Sequence, residues 1–253
     1  MNLTGNTILI TGGGSGIGRA LAVELQKLGN QVIVAGRRKR ALEETTAANP
    51  GMRSVQLDIE SATAIRSFAA QVAADFPSLN VLINNAGIMR PEKLLAQQPG
   101  LADAEAIVTT NLLGPIRLTA ALLPHFEKQP HATIVNVSSG LAFMPLALTP
   151  TYCATKAAIH SYTQSLRYQL RGTHIEVLEL VPPYVATYMM SGASDPRAMP
   201  LDKFIAEVMG ILKTEPTPPE ICVENVKGLR FAAESGKYDG IFQGLNSTMA
   251  DIR

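Results

Sequence analysis

Cysteine is nearly missing from this chain: Cys153 and Cys222 are the whole complement. Two cysteines make neither a disulfide framework nor a thiolate metal site, and a reducing compartment is the simplest fit. Charge of one sign is missing as well. A net charge of +1 gives no field for nucleic acid or acidic membranes, so small molecules are the expected partners. The four histidines, His125, His131, His160 and His174, show no metal-ligand spacing, and no metal is expected. Met1–Gly5 lacks the basic segment and apolar core of a secretory signal. No uninterrupted apolar run reads as long enough to span a bilayer. A soluble cytoplasmic protein is therefore expected. At 253 residues and 46% hydrophobic, it has enough material for one α/β domain with a large core.

What the chain does have is glycine in a telling place. Thr11-Gly12-Gly13-Gly14-Ser15-Gly16-Ile17-Gly18 follows the apolar run Thr7–Ile10, a short buried strand. It precedes Ile17, Leu21, Leu25 and Leu28, which recur at helical spacing. Strand, glycine turn and helix bring backbone N–H groups to a positive helix N-terminus, where a pyrophosphate fits because no side chain keeps it away. The spacing Gly-x-x-x-Gly-x-Gly differs from the commonest dinucleotide fingerprint. A flexible turn is the plainer alternative.

A second strand, Gln31–Ala35, ends at Gly36-Arg37-Arg38-Lys39-Arg40. In dinucleotide folds this strand end meets the adenosine ribose, where a carboxylate takes the 2′-OH and arginine accommodates a 2′-phosphate. With no acid there, Arg37 and Arg38 favour NADP(H) over NAD(H); a solvated basic helix start is the alternative. Ser54–Asp58 reads as the third strand, closed by Asp58-Ile59, where Asp58 would reach an adenine amino group or cap the helix starting near Ser61. Val81–Ile83 runs into Asn84-Asn85-Ala86-Gly87, either backbone held beside a ligand or a plain turn. A long helical pattern over Asp103–Lys128 carries Asn111 and, a turn later, the potential bend Gly114-Pro115. Thr133–Val137 delivers Ser138-Ser139. Tyr152 and Lys156, spaced i, i+4, share a face of the helix expected to Arg171. Ile175–Val181 is the sixth strand. The alternation predicts a doubly wound, mostly parallel sheet with helices on both faces and ligands at the strands' carboxyl ends.

Taken together, Thr11-Gly12-x-x-x-Gly16-x-Gly18, Asn84-Asn85-Ala86-Gly87, Asn111, Ser139 and Tyr152-x-x-x-Lys156 resemble the classical short-chain dehydrogenase/reductase family. The resemblance runs from the first strand to Thr187 and implies a Rossmann fold and a nicotinamide cofactor. It implies Ser139, not Ser138, as the catalytic serine, because it stands thirteen positions before Tyr152. It also implies a water chain from Asn111 to Lys156. The cofactor set it implies is Gly12, Ser15, Gly16, Ile17, Gly18, Arg37, Arg38, Asp58, Ile59, Asn85, Ala86, Gly87, Tyr152, Lys156, Pro182, Val185 and Thr187. Pro183 stands where the family usually has glycine, which points to a slightly altered nicotinamide wall.

The chemistry is arguable without the name. A phenol with pKa about 10 is too weak an acid for efficient proton exchange at neutral pH, and a nearby ammonium is expected to lower it. Tyr152 is then the general acid in carbonyl reduction and the base in oxidation, while Ser139 donates to the substrate oxygen. The methionine-rich segment 188–214, with Met189, Met190 and Met199, reads as an apolar substrate lid, and Phe143, Met144 and Leu146 as the opposite wall. Core packing is the plainer reading of any one methionine. The C-terminal end resembles the DltE-like branch, which implies little about substrate. Pro219–Ala233 reads as a helix with a second short helix after it, so a seventh strand is doubtful. A homodimer through the Asp103–Lys128 and Tyr152–Arg171 helices is expected, with a tetramer as the alternative. Two competing readings remain: an NADP(H)-binding sensor or scaffold without turnover, and a hydrolase using Ser139, for which no histidine is placed by motif.

Overall fold

Seven parallel strands lie in the order β3-β2-β1-β4-β5-β6-β7. This computed structural model describes residues 1–94, 101–189 and 195–247. The strands are β1 (Thr7–Thr11), β2 (Gln31–Gly36), β3 (Arg53–Gln56), β4 (Leu79–Asn84), β5 (Ala132–Val137), β6 (Ile175–Val181) and β7 (Glu220–Cys222). β1, β4 and β5 are buried at every position, which is why they read as near-continuous apolar runs rather than alternating ones. The chain reverses direction across the sheet between β1 and β4, and that switch point opens a crevice at the strands' carboxyl ends.

Each face has its own core. On one face α1 (Gly16–Lys27) and α7 (Leu201–Leu212) press Leu21, Leu25, Phe204 and Val208 against Ile8, Ile10, Val32 and Val34. On the other, α3 (Ala62–Asp75), α5 (Gly114–Phe126) and α6 (Pro150–Gln169) bring Phe68, Val72, Leu118, Leu122, Phe126 and Leu166 onto Leu9, Ile33, Leu82 and Ile134. Neighbouring strand residues such as Ile8 and Leu9 go to opposite cores, as a two-residue side-chain period demands.

Several expectations are corrected. A seventh strand exists, inside the stretch expected to be helical. Two consecutive prolines, Pro218 and Pro219, bias Thr217 and Pro218 before them to extended backbone, and Ile221 (1% exposed) is drawn into the core as Glu220–Cys222 pairs with Glu179–Val181. The helix resumes only as α8 (Glu224–Arg230), and the short helix after it is α9 (Tyr238–Ser247). The Asp103–Lys128 helix is three pieces: α4 (Ala102–Val108), a π-helical turn at Thr109–Leu113, and α5. Pro150 at the first turn starts α6 two residues before Tyr152. The run Ala102–Phe126 is, contrary to expectation, long and apolar enough by composition to cross a membrane. Its Ile107, Leu118, Leu122 and Phe126 are fully buried inside the domain, as in the core helix of an α/β fold. Of segment 188–214, α7 is likewise a core helix, and residues 190–194 lie outside the described residues.

Candidate active site

At the switch point, Thr11 and Asn85 lock β1 to β4. The Thr11 hydroxyl accepts from the N–H groups of Asn85 (3.0 Å) and Ala86 (3.1 Å), and Asn85 Nδ2 donates to the Thr11 carbonyl at 2.9 Å. The glycine loop lies directly on this clasp. Gly12 and Gly16 adopt φ of +68° and +54°, and a Cβ on Gly18 would stand 2.4 Å from Asn85 Nδ2. The 84–87 stretch is thus backbone held by side chains, not a plain turn. Asn84 itself faces inward: its Nδ2 donates to Thr119 and Asn136, and its buried Oδ1 has no partner.

Ser15 caps α1 with extended backbone but its side chain makes no capping hydrogen bond to the helix, and no acidic residue occupies the first turn. The first helical N–H groups therefore keep their capacity for an anion, and the loop fits a dinucleotide pyrophosphate. Opposite, Thr187 lies 3.6 Å or less from the place a Gly16 Cβ would take, so the segment after β6 closes the crevice from the far side. Val185 is buried and bridged to Met199, and the Pro182 carbonyl accepts from Gly140 N–H. Ile17 packs partly buried on the α1 core.

The two arginines diverge. Arg38 Nη2 donates to Ser15 Oγ at 2.9 Å, putting its guanidinium on the glycine loop. Arg37 is paired with Glu60 at 2.6 Å, and Glu60 also accepts from Thr110. Asp58 is exposed and accepts from the Glu60 N–H, while Ser61 provides the cap of α3. That removes the helix-cap role from Asp58. The Ile59 side chain is buried in the core, leaving only its backbone to a cofactor.

Beyond the glycine loop the polar groups converge on α6. Ser139, at the end of β5, is 8% exposed; Tyr152 and Lys156 are 6% and 5% exposed. The Ser139 hydroxyl lies beside the Tyr152 phenol and accepts from the Leu141 N–H at 3.1 Å. Lys156 Nζ stands 5.6 Å from the Tyr152 ring centroid and donates to the Val137 carbonyl at 2.8 Å. Asn111, in the π-helical turn, binds Ile88 and reaches Thr155 Oγ1 at 3.3 Å. A Cβ on Gly87 would lie 3.4 Å from Asn111 Oδ1 and 3.8 Å from Lys156 Nζ.

Electrostatically, burial dominates. It pushes the Tyr152 phenol up to about 12, with the Ser139 hydroxyl opposing, and pulls the Lys156 ammonium down to about 8, with Glu179 opposing. The expected lowering of the phenol is therefore corrected: desolvation of a phenolate dominates, and Lys156 points its hydrogen bond at Val137. A phenol so placed stays protonated through the neutral range and can give up its proton only to a strong base, such as an alkoxide.

The residues expected at the substrate wall fall in different surroundings. Phe143, partly buried, packs edge-on to His160 (4.6 Å between centroids) under the Arg230 guanidinium, and Met144 is fully buried. Leu146 does share a cluster with Tyr152, Cys153 and Ile107. Around it stand the half-buried Ile88, Met89, Leu141, Leu148 and Leu245, which the sequence reading missed. Met189 is 38% exposed, and Met190 lies outside the described residues. Among the described residues, His160, Glu179 and Glu220 form one group of metal-ligand type. Its members have protein partners: His160 Nδ1 hydrogen-bonds Glu179 at 2.8 Å, and Glu220 is ion-paired to Arg230 at 2.6 Å.

The comparisons agree with this geometry. Residues 6–198 match the family model described as short chain dehydrogenase. An uncharacterized oxidoreductase DltE of Bacillus subtilis is 39% identical over 98% of this chain and 99% of its own. The NADP-dependent 3-hydroxy acid dehydrogenase YdfG of Shigella flexneri is 31% identical, covering 70% of this chain and 72% of its own. A short-chain dehydrogenase of Sphingobium yanoikuyae, solved in complex with NADPH, superposes with a TM-score of 0.78 at 26% identity, over 98% and 96% of the two chains. With its glycine loop, its Tyr152–Lys156 helix and its parallel sheet in that order, the chain belongs to the short-chain dehydrogenase family of oxidoreductases.

Proposed function

We propose that the protein interconverts a ketone or aldehyde and its alcohol using NADP(H). One observation carries the reading: a buried phenol beside a buried serine hydroxyl, with a buried ammonium next to its ring, at the carboxyl ends of the strands. When bound, the nicotinamide supplies or accepts the hydride. Ser139 and Tyr152 present two hydroxyls to one substrate oxygen. Tyr152 gives its O–H proton to the alkoxide that reduction generates, and takes it back in oxidation. Lys156, set by burial to about 8, is the adjacent group able to exchange a proton near neutrality. Asn111 holds the loop after β4 against α6 and so fixes the wall of the site.

For the cofactor, Arg38 on Ser15 is the group placed for a 2′-phosphate, and the NADP dependence and NADPH complex named for two relatives support that choice. The same reading carries a homodimer through the α4–α5 and α6 faces, checked by light scattering.

A panel of ketones and aldehydes with NADPH, followed by absorbance and repeated for Tyr152→Phe, tests the function. Turnover should fall by roughly 10²–10⁴-fold in the variant with NADPH binding retained. A wild-type protein that binds NADPH and reduces no carbonyl would instead favour the sensor reading.

A further inference from the structure

We infer that the C-terminal helix α9 completes the substrate pocket: Leu245 forms the apolar wall that selects the substituent on the carbonyl carbon, and Asn246 holds that wall in place. The inference rests on the carbonyl-reductase reading and names the part of the substrate that this chain recognises. It starts from a long-range clamp. Asn246 Oδ1 accepts from the Ala147 N–H at 2.6 Å, and its Nδ2 donates to the Pro145 carbonyl at 3.1 Å. One side chain thus satisfies two backbone groups on either side of Leu146, across about a hundred residues of sequence. The same Nδ2 donates to Phe242 O one turn back, which fixes the rotamer from within α9.

That clamp sets the neighbour of Asn246 over the site. Leu245 packs on the cluster of Leu146, Tyr152, Cys153 and Ile107. Leu146 N–H in turn donates to Cys153 Sγ at 3.3 Å, so the loop, α6 and α9 move as one. Tyr152 therefore carries two environments. Its ring lies among aliphatic side chains, while its hydroxyl meets Ser139.

The partly buried hydrophobic side chains packed on this cluster are Ile88, Met89, Leu141, Leu148 and Leu245. A carboxylate or phosphate pressed against that surface would lose its hydration. An alkyl or aryl substituent would be buried favourably, and each added methylene should strengthen binding until the wall is reached. α9 itself has no fully buried residue, only a half-buried edge of Tyr238, Ile241, Phe242, Leu245 and Asn246. Among the described residues, Asn246 ties this edge to the backbone on both sides of Leu146.

The test is a series of straight-chain 2-ketones from four to ten carbons, reduced with NADPH by the wild type, Leu245→Ala, Leu245→Met and Asn246→Ala. The wild-type KM should fall along the series. Leu245→Ala and Asn246→Ala should flatten that fall, raising KM for the longest ketones by on the order of tenfold, with NADPH affinity unchanged. Leu245→Met should restore the slope, and Asn246→Ala should act on KM more than on kcat. A slope left intact in Leu245→Ala overturns the inference. Binding of the matching 2-alcohols to the NADP-loaded protein, read by calorimetry, separates the two levels of argument. A chain-length dependence flattened by Leu245→Ala supports the wall even where no ketone is turned over and the reductase reading fails. A dependence left intact, or no alcohol bound at all, overturns it.

Discussion

Asn111 takes both backbone polar groups of Ile88: its Oδ1 accepts from the Ile88 N–H and its Nδ2 donates to the Ile88 carbonyl, each at 2.9 Å. The side-chain amide stands in for the strand partner that the chain loses once β4 has ended. Asn111 is 1% exposed, so water cannot replace it. Asn111→Leu should cost about 2–4 kcal/mol in urea unfolding, the penalty for stranding two buried backbone groups. Thr155→Val, which removes only the 3.3 Å contact, should cost less. Equal losses would contradict this account.

The divergence of Arg37 and Arg38 predicts unequal roles toward a 2′-phosphate. Arg38→Ala should weaken NADPH by about tenfold or more, the loss of one charge-assisted contact, and leave NADH nearly unchanged. Arg37→Ala should do less, because Glu60 already engages that guanidinium. Fluorescence titration of both variants with both coenzymes decides it. A uniform loss for NADPH and NADH in Arg38→Ala would mean that the guanidinium shapes the glycine loop instead.

Burial of Lys156 gives stability a definite pH slope. Its folded pKa, about 8, lies below the ordinary 10.5, so between those values the unfolded chain holds a proton that the native state does not. Stability contributed by this group therefore rises with pH across that window, by at most about 3 kcal/mol. Tyr152 acts in the opposite sense above pH 10, where the native state keeps a proton until about 12 and stability falls. Urea unfolding at pH 8 to 10 should show a positive slope relative to Lys156→Met. Parallel curves would show that the ammonium is not desolvated.

Two glycines should respond to alanine with opposite signs. At Gly18 the new Cβ meets Asn85 Nδ2 at 2.4 Å and the Gly12 carbonyl at 2.7 Å, so Gly18→Ala should destabilise by about 1–3 kcal/mol. Gly240 sits in α9 with nothing within 4 Å of its Cβ position, and Gly240→Ala should stabilise by about 0.5–1 kcal/mol. Thermal melts of the two variants check both directions.

Local features were legible in the amino-acid order. The glycine loop is a strand, a turn and a helix in immediate succession, and Tyr152 and Lys156 are one helical turn apart, so short-range rules suffice. Where the answer depended on distant chain, it was not. β7 is three residues whose strand state exists only because β6 offers an edge. Phe143 follows Ser139 closely, yet its ring partners, His160 and Arg230, come from distant chain. Leu245 joins the cluster that holds Tyr152 from near the other end of the chain, with no pattern to announce it. The sign of the Tyr152 shift failed for a different reason: charge proximity is visible in a motif, but the depth of burial is not.

The π-helical turn at Thr109–Leu113 preserves the angular phase between the two helices it joins. A π turn holds roughly one residue more than an α turn. Excising a single residue there would restore regular winding with nearly the same phase, because the widened turn is what absorbs the extra residue. The shortened chain would keep α4 and α5 on their present neighbours and lose the local geometry that aims Asn111 at Ile88. A one-codon deletion should therefore be felt at that side-chain clasp rather than in the seating of the two helices.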